Sequence, residues 1–154
     1  MKTAEFHYTT YIKSTPEKVW AAITTPEFAR QYWGNANFSD WKAGSRWEHR
    51  SEAGAALIVG TVSESVPPTR LVLTWGGPGE DQAKHSRVIF AIKAIKDLVE
   101  LHVTHDHLEA ESAMARGISI GWPRVLSSLK SLLETGVALD TWAGHEHHCG
   151  GADH

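Results

Sequence analysis

Through residues 4–12 every second position is apolar or β-branched: Phe6, Tyr8, Thr10 and Ile12 share one face of an extended chain. This alternation predicts a half-buried first strand. The period then changes. Thr15 can cap a helix with Pro16 at its first position, or Ser14 and Glu17 can form a capping box; Val19, Trp20 and Ile23 then face inward. Thr25-Pro26 repeats the signal and predicts a second short helix over about 26–31, bringing Phe28 inward.

After a turn at 32–37, strands are predicted near 37–41, 45–51, 56–66, 70–76, 85–95 and 98–106. The breakers between them are Lys42-Ala43-Gly44, Ala53-Gly54, Pro67-Pro68 and Gly76-Gly77-Pro78-Gly79. Leu71, Leu73 and Trp75 share a face, as do Val88, Phe90, Ile92 and Ala94, and again Val99, Leu101, Val103 and His105. Connections this short make neighbouring strands antiparallel.

The last pattern is helical. Ile118, Trp122, Val125, Leu126, Leu129, Leu132 and Leu133 recur at three- and four-residue steps, opposite Arg124, Ser127, Ser128, Lys130, Ser131 and Glu134. Pro123 lies inside it, and an interior proline removes a backbone bond at a cost of roughly 3 kcal/mol. Either the main helix starts near Trp122 after an irregular or helical lead-in from about Glu111, or one longer helix bends at the proline. The expected fold is α+β: a curved antiparallel sheet of about seven strands wrapped round a long C-terminal helix, with two short helices after the first strand. Residues 1–136 form one domain, and 137–154 a tail containing histidine and cysteine.

Composition narrows the class of partner. The chain has 154 residues, enough for one domain with a real core, and is 42% hydrophobic and 21% charged. A net charge of -3 argues against a general nucleic-acid binder. No apolar run approaches the roughly 20 residues that span a bilayer, and the alternating N-terminus lacks the apolar block of a signal peptide. With the single cysteine, Cys149, these features point to the cytoplasm. The chain is expected to be a monomer or a homodimer, the latter through an edge strand such as the first or through Trp142.

Five segments resemble the bacterial branch of the Hsp90-ATPase-activator homologues (AHSA1-like): STPEKVWAAITTPE, QYWGNANFSDWKAGSRW, VPPTRLVLTW, LHVTHDHL and GWPRVLSSLKSLLETG. The resemblance runs from about Tyr8 to Gly136, and departs from the family at His107, where a small residue is usual. It implies the helix-grip (START/Bet v 1-like, SRPBCC) fold with an internal apolar cavity. The superfamily's members include lipid carriers, hormone sensors, cyclases and co-chaperone domains, so the fold does not choose a function. The family name implies an Hsp90-type chaperone as an alternative partner; a metal- or stress-responsive role is a further alternative, through the C-terminal tail.

An apolar or amphipathic small molecule, lipid-like or aromatic, is therefore expected between the long helix and the sheet. The candidate wall is Tyr32, Trp33, Trp41, Trp47, Trp75, Phe90, Val103, His105, Trp122 and Leu126, with Arg87 and His49 as further polar groups. His105 shares the inward phase of Val99, Leu101 and Val103, and could serve as a general acid or base. Against catalysis, Ser127 and Ser128 lack the Gly-x-Ser-x-Gly turn, and the Gly76–Gly79 loop joins two strands where a phosphate loop opens a helix. The reading leans away from an enzyme. In the tail, His145, His147, His148 and Cys149 supply imidazole and thiolate, which suit Zn, Ni or Cu. Their spacing is not that of a structural zinc motif, so weak affinity is expected and no cofactor is required. His102, His105 and His107 lie at a strand end; His102 and His105 face opposite sides, and two histidines sharing a side are too few to assert a metal site.

Overall fold

A computed structural model describes residues 3–140. In chain order the elements are β1 (Thr3–Ile12), α1 (Pro16–Thr24), α2 (Pro26–Trp33), β2 (Ala36–Phe38), β3 (Arg46–Arg50), β4 (Ala56–Val66), β5 (Arg70–Trp75), a 3-10 turn (Gln82–Lys84), β6 (Ser86–Ile95), β7 (Leu98–Glu109) and α3 (Ala113–Thr135). The strands form one seven-stranded antiparallel sheet in the order β1-β7-β6-β5-β4-β3-β2. Every neighbour except β1–β7 is joined by a short connection, and β1 closes the far edge beside the last strand. α3 lies against β1, β7, α1 and α2. This is the expected helix-grip arrangement.

Local chemistry sets the boundaries. The Thr15 side chain accepts from the Lys18 N–H, and Pro16 opens α1. Ser112 likewise caps α3, accepting from Ala115 N–H at 3.0 Å. The helix then runs unbroken through Pro123 to a left-handed Gly136. The longer helix is thus the correct alternative. A capped start and a buried stripe that continues from Ile118 across the proline to Leu132 outweigh one lost backbone bond. The strand expected over 37–41 ends at Phe38. Ser39 Oγ accepts from Trp41 N–H and Asp40 Oδ1 from Lys42 N–H, and these local acceptors turn the chain out of the ladder.

Beyond the cap, residues 137–139 fold back along α3. Ser128 Oγ donates to the Leu139 carbonyl at 2.9 Å and accepts from its N–H, while Ser131 Oγ donates to the Val137 carbonyl. The candidate ligands His145, His147, His148 and Cys149, together with Trp142, lie outside the described residues.

The buried cluster joins residues of α3 to residues of the sheet, and one glycine shows how closely the chain passes within the sheet. A Cβ on Gly60 would stand 2.0 Å from the Thr74 carbonyl oxygen and 2.6 Å from Trp47 Nε1, two atoms that are hydrogen-bonded to each other at 2.7 Å. Only glycine lets β4 pass there.

Candidate functional site

Nine of the ten side chains assigned to the inner wall, Tyr32, Trp33, Trp47, Trp75, Phe90, Val103, His105, Trp122 and Leu126, are buried in one core cluster or, for His105, against its rings, and Trp41 is partly buried against it. Trp122, from the middle of α3, is the hub. Its ring centroid lies 5.6 Å from Trp33, 5.5 Å from Trp75 and 5.8 Å from Phe90. Trp47 follows behind Trp75 at 5.4 Å, and His49 lies 4.6 Å from Trp33. These are contact distances for aromatic rings. The side chains expected to surround a guest molecule touch one another.

His105 is fixed by a chain of hydrogen bonds that crosses from the helix to three strands. Trp122 Nε1–H donates to His105 Nδ1 at 3.1 Å. An indole nitrogen can only donate, so Nδ1 carries the lone pair and Nε2 the proton. Nε2–H then donates to Ser86 Oγ at 2.7 Å, and the Ser86 hydroxyl donates to the Trp75 carbonyl at 3.1 Å. Burial pushes the imidazole pKa down to about 3, against an opposing pull from Asp106. Neutral at ordinary pH and with both nitrogens engaged, His105 holds α3 onto the sheet and is poorly placed for proton transfer.

Tyr32 and Trp41 have a different task from the one expected of them. Four backbone carbonyls at the C-terminus of a helix lack intrahelical donors. At the end of α1, Thr25 N–H serves Ala21, Tyr32 Oη–H serves Ala22 at 2.9 Å, Asn37 Nδ2–H serves Ile23 at 2.9 Å, and Trp41 Nε1–H serves Thr24 at 3.0 Å. The QYWGNANFSDW segment thus wraps the end of α1, and burial raises the Tyr32 pKa far above its ordinary value. Asn37 also orients His49, whose Nδ1–H donates to Asn37 Oδ1 at 2.8 Å. His49 Nε2, left with the lone pair, has no partner among the described residues, and neither has the Nε1–H of Trp33 or Trp75. Burial lowers the His49 pKa to about 3 as well. Arg87, expected inside, lies on the outer face of the sheet in a two-pronged pair with Asp106 at 2.9 and 2.6 Å, because its position on β6 is out of phase with Val88 and Phe90. The guanidinium holds the Asp106 carboxyl below the usual carboxylate range.

Open space lies at one end of this aromatic seam. A pocket of about 520 Å³ is walled by the start of β1, the end of β7, the 3-10 turn and the N-terminus of α3. Trp75, Leu108, Met114 and Ala83 give it apolar surface, and Ser86, His85, His107 and Glu109 give it polar atoms. Of the ten expected wall residues only Trp75 reaches it. Ser86, which bonds His105, joins the pocket to the buried chain. The ring of His85 leans over Gly76, where a Cβ would stand 2.2 Å from Cδ2, and its buried Nε2 has no partner among the described residues. His107 holds a left-handed φ of 59°. That backbone is the region glycine adopts most readily, and His107 is where the sequence departs from the family pattern.

The family model for "Activator of Hsp90 ATPase homolog 1-like protein" matches residues 13–134. No curated protein matches the chain. Solved structures share the fold. The Aha1 dimer from Colwellia psychrerythraea superposes with a TM-score of 0.74 at 21% identity, covering 86% of this chain and 98% of that one. An HSP90 activator from Plasmodium falciparum gives 0.70 at 21% identity, covering 84% and 95%. ChR145 from Cytophaga hutchinsonii gives 0.67 at 25% identity, covering 86% and 96%. No described helix is long and apolar enough to cross a membrane.

Proposed function

We propose, from the premise that this chain belongs to the Activator of Hsp90 ATPase homolog 1-like family, that it binds a small amphipathic molecule at the end pocket. The observation that carries this reading is the pocket itself. Its volume of about 520 Å³ falls in the range of small-ligand sites, and apolar walls are combined in it with a few polar groups. The apolar part of a ligand would lie on Trp75, Leu108 and Met114, and its polar end would meet His85 and His107. The aromatic seam beneath is then a rigid floor. His105, which Ser86 joins to the pocket, has both nitrogens engaged, so this reading assigns it a structural role and no proton transfer.

The test is a titration of labelled protein with 1-anilinonaphthalene-8-sulfonate and medium-chain fatty acids, followed by amide NMR. Saturable shifts confined to Trp75, Ser86, His107 and Met114, abolished by Ala83→Trp, support the pocket. Scattered or absent shifts reject it.

A second reading follows from the family's description and from the Plasmodium neighbour: contact with an Hsp90-type chaperone. It predicts that the protein raises the chaperone's ATP turnover, and an ATPase assay with no change rejects it.

A further inference from the structure

The outer face of the sheet carries a second group of histidines, away from the pocket. His7 on β1 and His102 on β7 stand diagonally across the strand pair, because Thr9 pairs with His102 and His7 with Thr104. Their nitrogens, Nδ1 of His7 and Nε2 of His102, are 3.3 Å apart. Each ring is held from behind. His7 Nε2 lies 3.0 Å from Glu5 Oε1, and His102 Nδ1 lies 2.5 Å from Thr9 Oγ1. Thr104 Oγ1 flanks the gap at 3.3 Å from His7 Nδ1.

We propose that His7 and His102 form a surface zinc site that clips the edge strand β1 to β7. Three observations carry it. First, the separation fits. Two imidazole nitrogens at zinc distances of about 2.0–2.1 Å and a tetrahedral angle stand about 3.3–3.4 Å apart. A right-angled metal would need roughly 2.9 Å, so the spacing favours Zn over square-planar Cu or Ni. Second, the proton positions suit a cation. A carboxylate only accepts, so His7 carries its proton on Nε2 and presents a lone pair at Nδ1. The Thr9 hydroxyl can donate or accept. When it accepts, His102 carries its proton on Nδ1 and presents a second lone pair at Nε2. Without metal, His102 Nε2–H donates to His7 Nδ1 across the gap and the Thr9 hydroxyl donates to His102 Nδ1; metal binding moves that one proton from Nε2 to Nδ1, turns the Thr9 hydroxyl into its acceptor and releases none. Third, Glu5 behind His7 is the carboxylate–histidine–metal arrangement that orients ligands in zinc proteins.

No group of three or more His, Cys, Asp or Glu side chains is placed to hold a metal among the described residues, so this pair gives two protein ligands and water completes the shell. A clip of this kind would act on an edge strand, which otherwise has neighbours on one side alone.

The experiment uses the full chain carrying His145→Ala, His147→Ala, His148→Ala and Cys149→Ala, so that the tail does not compete. Zinc chloride is titrated while the ring nitrogens are followed by long-range proton–nitrogen NMR and the melting temperature is recorded. The expected result is saturable binding at one zinc per chain, joint shifts of the His7 and His102 ring nitrogens, and a raised melting temperature. His7→Gln and His102→Gln should each weaken binding at least tenfold, and Glu5→Gln by roughly tenfold. One zinc per two chains, with the same two rings shifting, also supports the site, with a second copy replacing the waters. Unmoved His7 and His102 rings at saturating zinc, or equal affinity in the His7→Gln/His102→Gln protein, would overturn it.

Discussion

Two buried histidines sit at opposite ends of the aromatic seam and solve the same problem differently. His105 and His49 are both fully enclosed, and burial depresses both pKa values to about 3. His105 has every polar atom engaged, from Trp122 through Ser86 to the Trp75 carbonyl. His49 is engaged through Nδ1 alone, and its Nε2 has no partner among the described residues. The contrast separates two costs that burial usually mixes. Enclosure dominates the protonation state of both rings, against a pull from Asp106 at His105; hydrogen bonding sets how much each ring contributes to holding the structure. The His105 end is a lock, and the His49 end is a corner with an orphan acceptor that weakens it.

Acid should act on both ends alike, and it is the largest expected effect. Each folded-state pKa lies below the unfolded value of 6.5, so between those limits the unfolded chain binds more protons. Stability is fully present above pH 6.5 and falls as the pH drops toward about 3, by about 1.4 kcal/mol per pH unit for each histidine. Urea unfolding between pH 7 and 4.5 measures the slope. His49→Leu and His105→Leu should each remove about half of it, and a slope unchanged by either substitution would break the shared-enclosure half of the comparison.

Removing the hub tests the lock directly. Trp122→Ala deletes ring contacts to Trp33, Trp75 and Phe90 and the donor to His105, and should destabilise by about 3–5 kcal/mol at neutral pH. Next comes the pairwise contrast. His105→Leu orphans the Trp122 N–H, whereas His49→Leu orphans Asn37 Oδ1 but also removes an orphan acceptor. His105→Leu should therefore cost more than His49→Leu by about 1–2 kcal/mol in denaturant titrations, and equal costs would erase the distinction. Ser86→Ala strands the His105 Nε2–H and should cost about 1–3 kcal/mol. The smallest effect is at the solvent edge, where Glu134 joins Lys130 and the Lys13 N–H. Glu134→Gln should cost less than about 1 kcal/mol and lose that effect in high salt.

Part of the candidate site is legible in the residue pattern. The alternation of Leu101, Val103 and His105 places that histidine inward, and the helical stripe places Trp122 and Leu126 opposite it. What that periodicity does not give is whether the inward side chains meet or leave a gap. Period fixes a direction; filling depends on the distance between α3 and a curved sheet, set by many contacts together. Tyr32 and Trp41 show the same gap. Their types fit a pocket wall, yet their polar tips serve the end of α1, a need visible only once that helix end is placed beside them. The pocket-lining residues Ser86, His85 and Met114 carry no local signal, because they come from three separate elements. His7 is likewise inconspicuous until register sets it beside His102.

The sequence by itself determined the order of the main elements, most of the faces they bury, a cap-then-proline start to the first helix and the family, because these follow from short-range sterics, period and local hydrogen bonding. The tertiary structure alone decided that the aromatic seam is packed, that His105 is locked as a neutral donor, and that open volume lies at the end of the grip. Those properties belong to groups far apart in the chain, and only closure of the sheet on α3 sets their separations.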